Sequence, residues 1–106
     1  MNIASLPVQA EYNKLWQADY DQISNAGRFA RVQVTAAYLG ATGTANIDLP
    51  DLSTVAGWLS TYGLLTGTPA AWRVTASSWS TAGITFVQFI DGATFTSATA
   101  QGTVTP

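Results

Sequence analysis

Four of the five aspartates in this chain come in pairs, Asp19 with Asp21 and Asp48 with Asp51. Paired carboxylates are the one catalytic device the composition supplies, because glycoside hydrolysis needs only two carboxyl groups at a suitable separation. The other devices lack parts. There is no histidine, so the serines and threonines have only carboxylates or Lys14 to activate them as nucleophiles. There is no cysteine either, which removes thiolate ligands and disulfides and leaves carboxylates as the remaining metal ligands. No EF-hand-like oxygen spacing surrounds Asp48 or Asp51. Gly43-Thr44-Ala45 and the pair Gly63 and Gly67 lack the Gly-Lys-Ser/Thr pattern that cradles a phosphate.

Local context gives both aspartate pairs structural roles. Asp19 and Asp21 fall within an expected helix, where residues two apart point away from each other. Asp48 and Asp51 flank Leu49-Pro50, where a strand is expected to end and a helix to begin, so capping accounts for them. Asp91 precedes Gly92, and Asp-Gly between two apolar runs is a turn signal, which makes Asp91 a turn former rather than an acid catalyst. The sequence therefore predicts no catalytic residue, no cofactor and no metal site.

The four tryptophans, Trp16, Trp58, Trp72 and Trp79, are the other conspicuous chemistry. Aromatic rings stack on sugars when exposed and act as anchors in protein interfaces. Trp58 and Trp72 have apolar neighbours and read as core. Trp79 follows Ser77-Ser78 and is the residue expected at the surface. Trp16, Tyr20 and Trp79 are accordingly the candidate interface or glycan contacts.

These side chains need elements to hold them. From Leu6 to Ile23, Val8, Tyr12, Leu15, Trp16, Tyr20 and Ile23 recur at three- and four-residue steps, which predicts an amphipathic helix with Ser5 as N-cap, Pro7 in the first turn and Gly27 at the end. Such a helix either packs on its own domain or docks on a neighbouring subunit. From Phe29 to Leu39 the alternation of Arg31, Gln33 and Thr35 with Ala30, Val32 and Val34 predicts a strand. Ala45 to Leu49 predicts a second, halted by Pro50 and paired with the first. Asp51 to Tyr62 fits a short second helix, weakened by Gly57 and ended by Gly63. Beyond Trp72 strand signals dominate: Trp72, Val74 and Ala76 alternate with polar residues. A type I′ hairpin at Asp91-Gly92 is expected to join Phe86–Ile90 to Ala93–Ser97, with Ala98–Pro106 as an edge strand or frayed tail.

Length and charge bound the function. One domain of 106 residues, 47% hydrophobic, has material for a single core. The division expected is an N-terminal helix or docking arm over 1–27 and a β-domain over 28–106. The net charge of −2, with one lysine and three arginines, cannot neutralise many phosphates, so nucleic acid is not an expected partner. No stretch resembles a signal peptide or approaches the ~20 apolar residues of a membrane span. From Ser53 to Pro106 only Arg73 and Asp91 are charged. A surface of hydroxyls and methyls has little charge to keep copies apart, which points to a protomer with partners.

The residues Ile47-Asp48-Leu49-Pro50-Asp51-Leu52-Ser53-Thr54-Val55-Ala56-Gly57-Trp58, the later Ala71-Trp72-Arg73-Val74-Thr75-Ala76 and the final Thr/Ala/Gly-rich strands resemble small virion proteins of tailed bacteriophages. Over about 28–105 the likeness is to immunoglobulin- or fibronectin-type β-modules. Three features depart from that pattern: there is no disulfide pair, the span is short, and the first 27 residues lie outside it. The resemblance implies a capsid decoration or head-tail protein, located in the virion and assembled in the host cytoplasm, with no catalytic residues to carry over. The expected fold is a mainly β, small antiparallel sandwich or barrel, Ig-like, with one N-terminal helix and a short second helix. The expected function is non-catalytic and structural, as a homo-oligomer or bound to capsid or tail proteins. The alternatives are a carbohydrate-binding or adhesion module with an exposed tryptophan, and a small inhibitor of a host enzyme.

Overall fold

A computed structural model describes residues 6–40, 43–82 and 91–106. Among them the chain is mainly β. Strand β1 (Leu6–Pro7) pairs with β4 (Thr44–Ala45), and β2 (Leu15–Gln22), β3 (Arg28–Thr35), β5 (Ala70–Trp79) and β6 (Phe95–Val104) form an antiparallel sheet in the order β3-β2-β5-β6. Two four-residue helical turns, α1 (Ile23–Ala26) and α2 (Ala36–Leu39), follow β2 and β3.

Period two organises the sheet. In β2 the even residues Trp16, Ala18, Tyr20 and Gln22 are buried on one face, opposite Val34, Val32, Ala30 and Arg28 of β3 and Ala76, Val74 and Trp72 of β5. Trp16, Ala18, Tyr20, Val74 and Ala76 form the core with Ala45 and Ile47, and Leu6, Val8, Leu49 and Leu64 pack on them. The covering layer is thus largely irregular chain. It is tied to the sheet by polar contacts: the Tyr20 hydroxyl donates to the Ile47 carbonyl at 3.2 Å, and the buried Gln22 amide donates to the carbonyls of Leu65 and Thr68 while accepting the Leu65 N–H at 2.7 Å. Across the hairpin, the Arg28 guanidinium donates to the Ser60 and Gly63 carbonyls.

Several sequence expectations are corrected. The expected helix over Leu6–Ile23 is instead β1, a turn and β2, with only Ile23–Ala26 helical. Trp16 and Tyr20 share a face at a spacing of four in a strand as well as in a helix, and burial of Ala18 between them decides for the strand. Gly27 does terminate a helical turn, at φ 66°. Because β2 is an inner strand, the expected boundary between 27 and 28 falls within the β2–β3 hairpin. The second helix is replaced by turns and a single 3-10 turn, Ser60–Tyr62. Gly57 there sits at φ 86°, outside helical space. The 45–49 strand shrinks to β4 and pairs with β1 rather than β3.

The β5–β6 connection turns at Asp91-Gly92, with Gly92 at φ 82°; the expected type I′ hairpin there depends on its other arm. Phe86–Ile90 lie outside the described residues. The tail is not frayed: β6 runs to Val104 and, among the described residues, pairs with β5 alone.

Candidate functional site

The odd residues of the sheet build a polar face. Asp19 sits at its centre, on β2, opposite Arg31 of β3 and Arg73 of β5. Arg31 Nε donates to Asp19 Oδ1 at 2.7 Å, Gln17 Nε2 donates to Oδ2 at 2.9 Å, and an Arg73 nitrogen lies 3.6 Å from Oδ2. Neighbouring rows continue the pattern, with Gln33 donating to Gln17 at 2.7 Å and the Thr75 and Thr99 hydroxyls 3.4 Å apart. The Asp19 side chain is almost wholly buried under these partners. Burial pushes its carboxyl up, but the hydrogen bonds from Arg31 and Gln17 and the charges of Arg31 and Arg73 outweigh that and hold it below the ordinary carboxylate range.

This geometry bears on the first aspartate pair. Two residues apart on a strand share a face, so Asp19 and Asp21 lie together, contrary to the helical expectation, and line a shallow cleft of about 490 Å³ with Phe29, Ala71 and Arg73. Three of their four oxygens nevertheless accept from protein donors. Asp21 Oδ1 accepts the Ile23 N–H at 2.7 Å, and the depressed Asp19 carboxyl is the opposite of the raised one a general acid needs. Asp48 and Asp51 are exposed. Asp51 accepts the Ser53 N–H at 2.9 Å, which lowers its carboxyl and closes a turn. Among the described residues no group of three or more acidic, histidine or cysteine side chains converges as a metal site would require, and no helix is long and apolar enough to cross a membrane.

The three candidate contact residues, Trp16, Tyr20 and Trp79, are all buried, at 3%, 0% and 7% exposure. Trp16 and Tyr20 are core, and the Trp16 indole donates to the Tyr12 carbonyl at 3.1 Å. The expected exposure of Trp79 is corrected: it ends β5 opposite Phe95 with its side chain enclosed. A polar local sequence did not reveal this, because burial of a strand-end residue is set by what crosses it. None of the three offers a ring face to a sugar.

What lies at the surface instead was not singled out by the sequence. Leu52, Val55, Leu59, Tyr62 and Leu65 are exposed along the 49–65 connection. Trp58 meets Tyr62 edge-on at 5.6 Å. Leu52, Trp58 and Tyr62 border, with Phe29, Arg31 and Leu49, a groove of about 670 Å³ that runs along β3. A helix over 51–62 would have turned Leu52, Val55 and Leu59 inward; without it they face solvent.

The outer strands of the described sheet are β3 and β6. Among the described residues, β3 pairs only with β2, and β6 only with β5. The ladder bonds from Ala36 N to Lys14 O and from Ser80 N to Thr94 O identify even-numbered residues as those bonded inward on both edge strands. The backbone N–H and C=O groups of Phe29, Arg31 and Gln33 on β3, and of Ser97, Thr99, Gln101 and Thr103 on β6, therefore point off the sheet. Edge strands normally carry charge, proline or a bulge to discourage pairing. β6 carries no charge and no proline over ten residues. No family model, no curated protein and no solved structure matches the chain.

Proposed function

We propose that this protein is a non-catalytic structural subunit that acts through subunit–subunit contacts, in the virion of a tailed bacteriophage as a capsid decoration or head–tail component. The observation that carries the reading is β6, ten residues without charge or proline that among the described residues pair with β5 alone. A strand that exposes its backbone groups without a blocking charge is a template for pairing with another chain. The charge-poor second half of the sequence and the local likeness to phage β-modules support the same role, and the four-stranded sheet with its covering layer is taken as one half of a small Ig-like sandwich. The committed aspartates favour no reaction.

Light scattering of the purified protein at tens of micromolar, where weak interfaces become populated, should give a multimer, or a monomer that binds phage particles assembled without it. A stable monomer with no affinity for such particles would overturn the proposal.

A further inference from the structure

The polar face of the sheet is hollow at one place. Across the four strands that face is a grid: Phe29, Asp21, Ala71 and Thr103 form one row, and Arg31, Asp19, Arg73 and Gln101 the next. Ala71 has the smallest side chain of the two rows, and the longer side chains around it rise above it, which is the origin of the cleft of about 490 Å³. The residues that line this cleft are all described ones, and it lies at the end of β5 and β6 remote from the Asp91-Gly92 turn. We propose that the cleft binds an uncharged carbohydrate, one ring of which lies on Ala71 between Asp21 and Thr103. This binding role goes beyond the assembly role and does not depend on it.

The rim has hydrogen-bonding capacity of both kinds to spare. Asp21 accepts the Ile23 N–H through Oδ1, and among the described residues no donor reaches its Oδ2. Gln101 and Thr103 make no side-chain hydrogen bond among the described residues, so an amide and a hydroxyl are available to donate and to accept. Arg73 lies 3.6 Å from Asp19 with 59% of its side chain exposed, which leaves N–H groups for a ligand oxygen. Neighbours across and diagonally along a sheet stand about 5–8 Å apart, so these side chains surround a single ring rather than line a track.

The chemistry selects a sugar. Two aspartates and two arginines balance across the two rows. An anion would meet Asp19 and Asp21, and a cation would meet Arg73, whereas an uncharged ligand meets no opposing charge. A pyranose carries hydroxyls that both donate and accept around its edge and C–H groups on its faces. The hydroxyls answer the polar rim. The C–H groups rest on the Ala71 methyl and reach the ring of Phe29, which is 46% exposed and has the Arg31 guanidinium 5.3 Å from its centroid. An extended peptide would instead offer its groups in a line, to a strand edge or a long groove.

The test follows amide chemical shifts of the isotope-labelled full chain as methyl glycosides of glucose, galactose, mannose and N-acetylglucosamine are added to millimolar concentrations, where weak sites fill. At least one of them should give saturable shifts at Asp21, Ala71, Arg73, Gln101 and Thr103. Ala71→Leu fills the cleft and should abolish those shifts. Gln101→Ala should weaken binding by up to about tenfold, the worth of one neutral hydrogen bond. Gln33→Ala, on the same face but outside the cleft, should bind like wild type. Ala71 and Gln101 are exposed, and the amide spectrum of each variant verifies its fold; Ala71→Ile replaces Ala71→Leu if that one is unfolded. No saturable shift at these residues with any of the sugars overturns the proposal, as does binding that Ala71→Leu or Gln101→Ala leaves unaltered. Shifts there with a blocked, uncharged tripeptide and with no sugar overturn it in favour of a peptide site. A monomer or a multimer in light scattering changes none of these outcomes.

Discussion

Gly102 lies against the indole of Trp72, so close that a Cβ there would sit 2.7 Å from Trp72 Cζ2. The two are cross-strand partners on β6 and β5, and the missing side chain is what lets the ring lie over the edge strand. Gly102 is not among the glycines with positive φ, so its requirement is space rather than backbone conformation. Gly102→Ala should force the indole aside and destabilise the fold by about 1–3 kcal/mol, the usual range for overpacking. Urea unfolding of Gly102→Ala, Trp72→Leu and the double variant checks this. The double variant should lose less than the sum of the singles.

Asp19 should make stability acid-sensitive. Its folded carboxyl titrates below the ordinary value because Arg31, Gln17 and Arg73 surround it, so its contribution is present above the unfolded pKa of about 3.9 and is lost as pH falls through the lower folded value. Asp19→Asn should cost about 1–3 kcal/mol at neutral pH, as expected for hydrogen bonds to a charged group. The gap between wild type and variant should narrow in acid, as read from urea midpoints at successive pH values.

Tyr20 gives the opposite sign. Desolvation, with the Asp48 charge adding to it, pushes its phenol up to about 12. Its stabilising effect is therefore complete below the unfolded value of about 10 and is lost as pH rises through the folded one. Absorbance titration should show a phenol ionising near 12 that is missing from Tyr20→Phe. That variant also forfeits the bond to the Ile47 carbonyl, at about 1 kcal/mol.

Gln22 fastens the covering layer, and its replacement by leucine should be severe. The change would leave the Leu65 N–H and the Leu65 and Thr68 carbonyls without the side chain that now serves them, at about 1–3 kcal/mol for each group left unsatisfied in the interior. Hydrogen exchange at the Leu65 amide should accelerate more than exchange within β5, because the loop loosens before the sheet does.

The sequence carried the strands whose two faces differ in polarity. Arg31, Gln33 and Thr35 against Ala30, Val32 and Val34 announce β3, and Trp72, Val74 and Ala76 announce β5. β2 was hidden because its inward positions include Gln22, and its aromatic pair at a spacing of four also fits a helix. The Gln22 and Arg28 contacts to the 60–68 loop join residues more than thirty apart, and no local pattern encodes them. Openness of an edge is likewise a property of strand order. The bareness of β6 was legible as composition, but only the order β3-β2-β5-β6 places it at one end of the described strands.

That order also bears on how the chain acquires its fold during synthesis. β2 and β3 are joined by a short turn, yet the other neighbour of β2 is β5, beyond the whole 36–69 stretch. A nascent chain that has delivered only the first hairpin holds a two-stranded ribbon with Trp16 and Tyr20 uncovered, and such ribbons are marginal in water. The sheet must wait for residue 79 to leave the ribosome, and closure across so long a gap is slow. A product truncated before residue 70 would thus expose both an apolar stripe and unpaired strand edges, and should be degraded or aggregate rather than persist as a smaller domain.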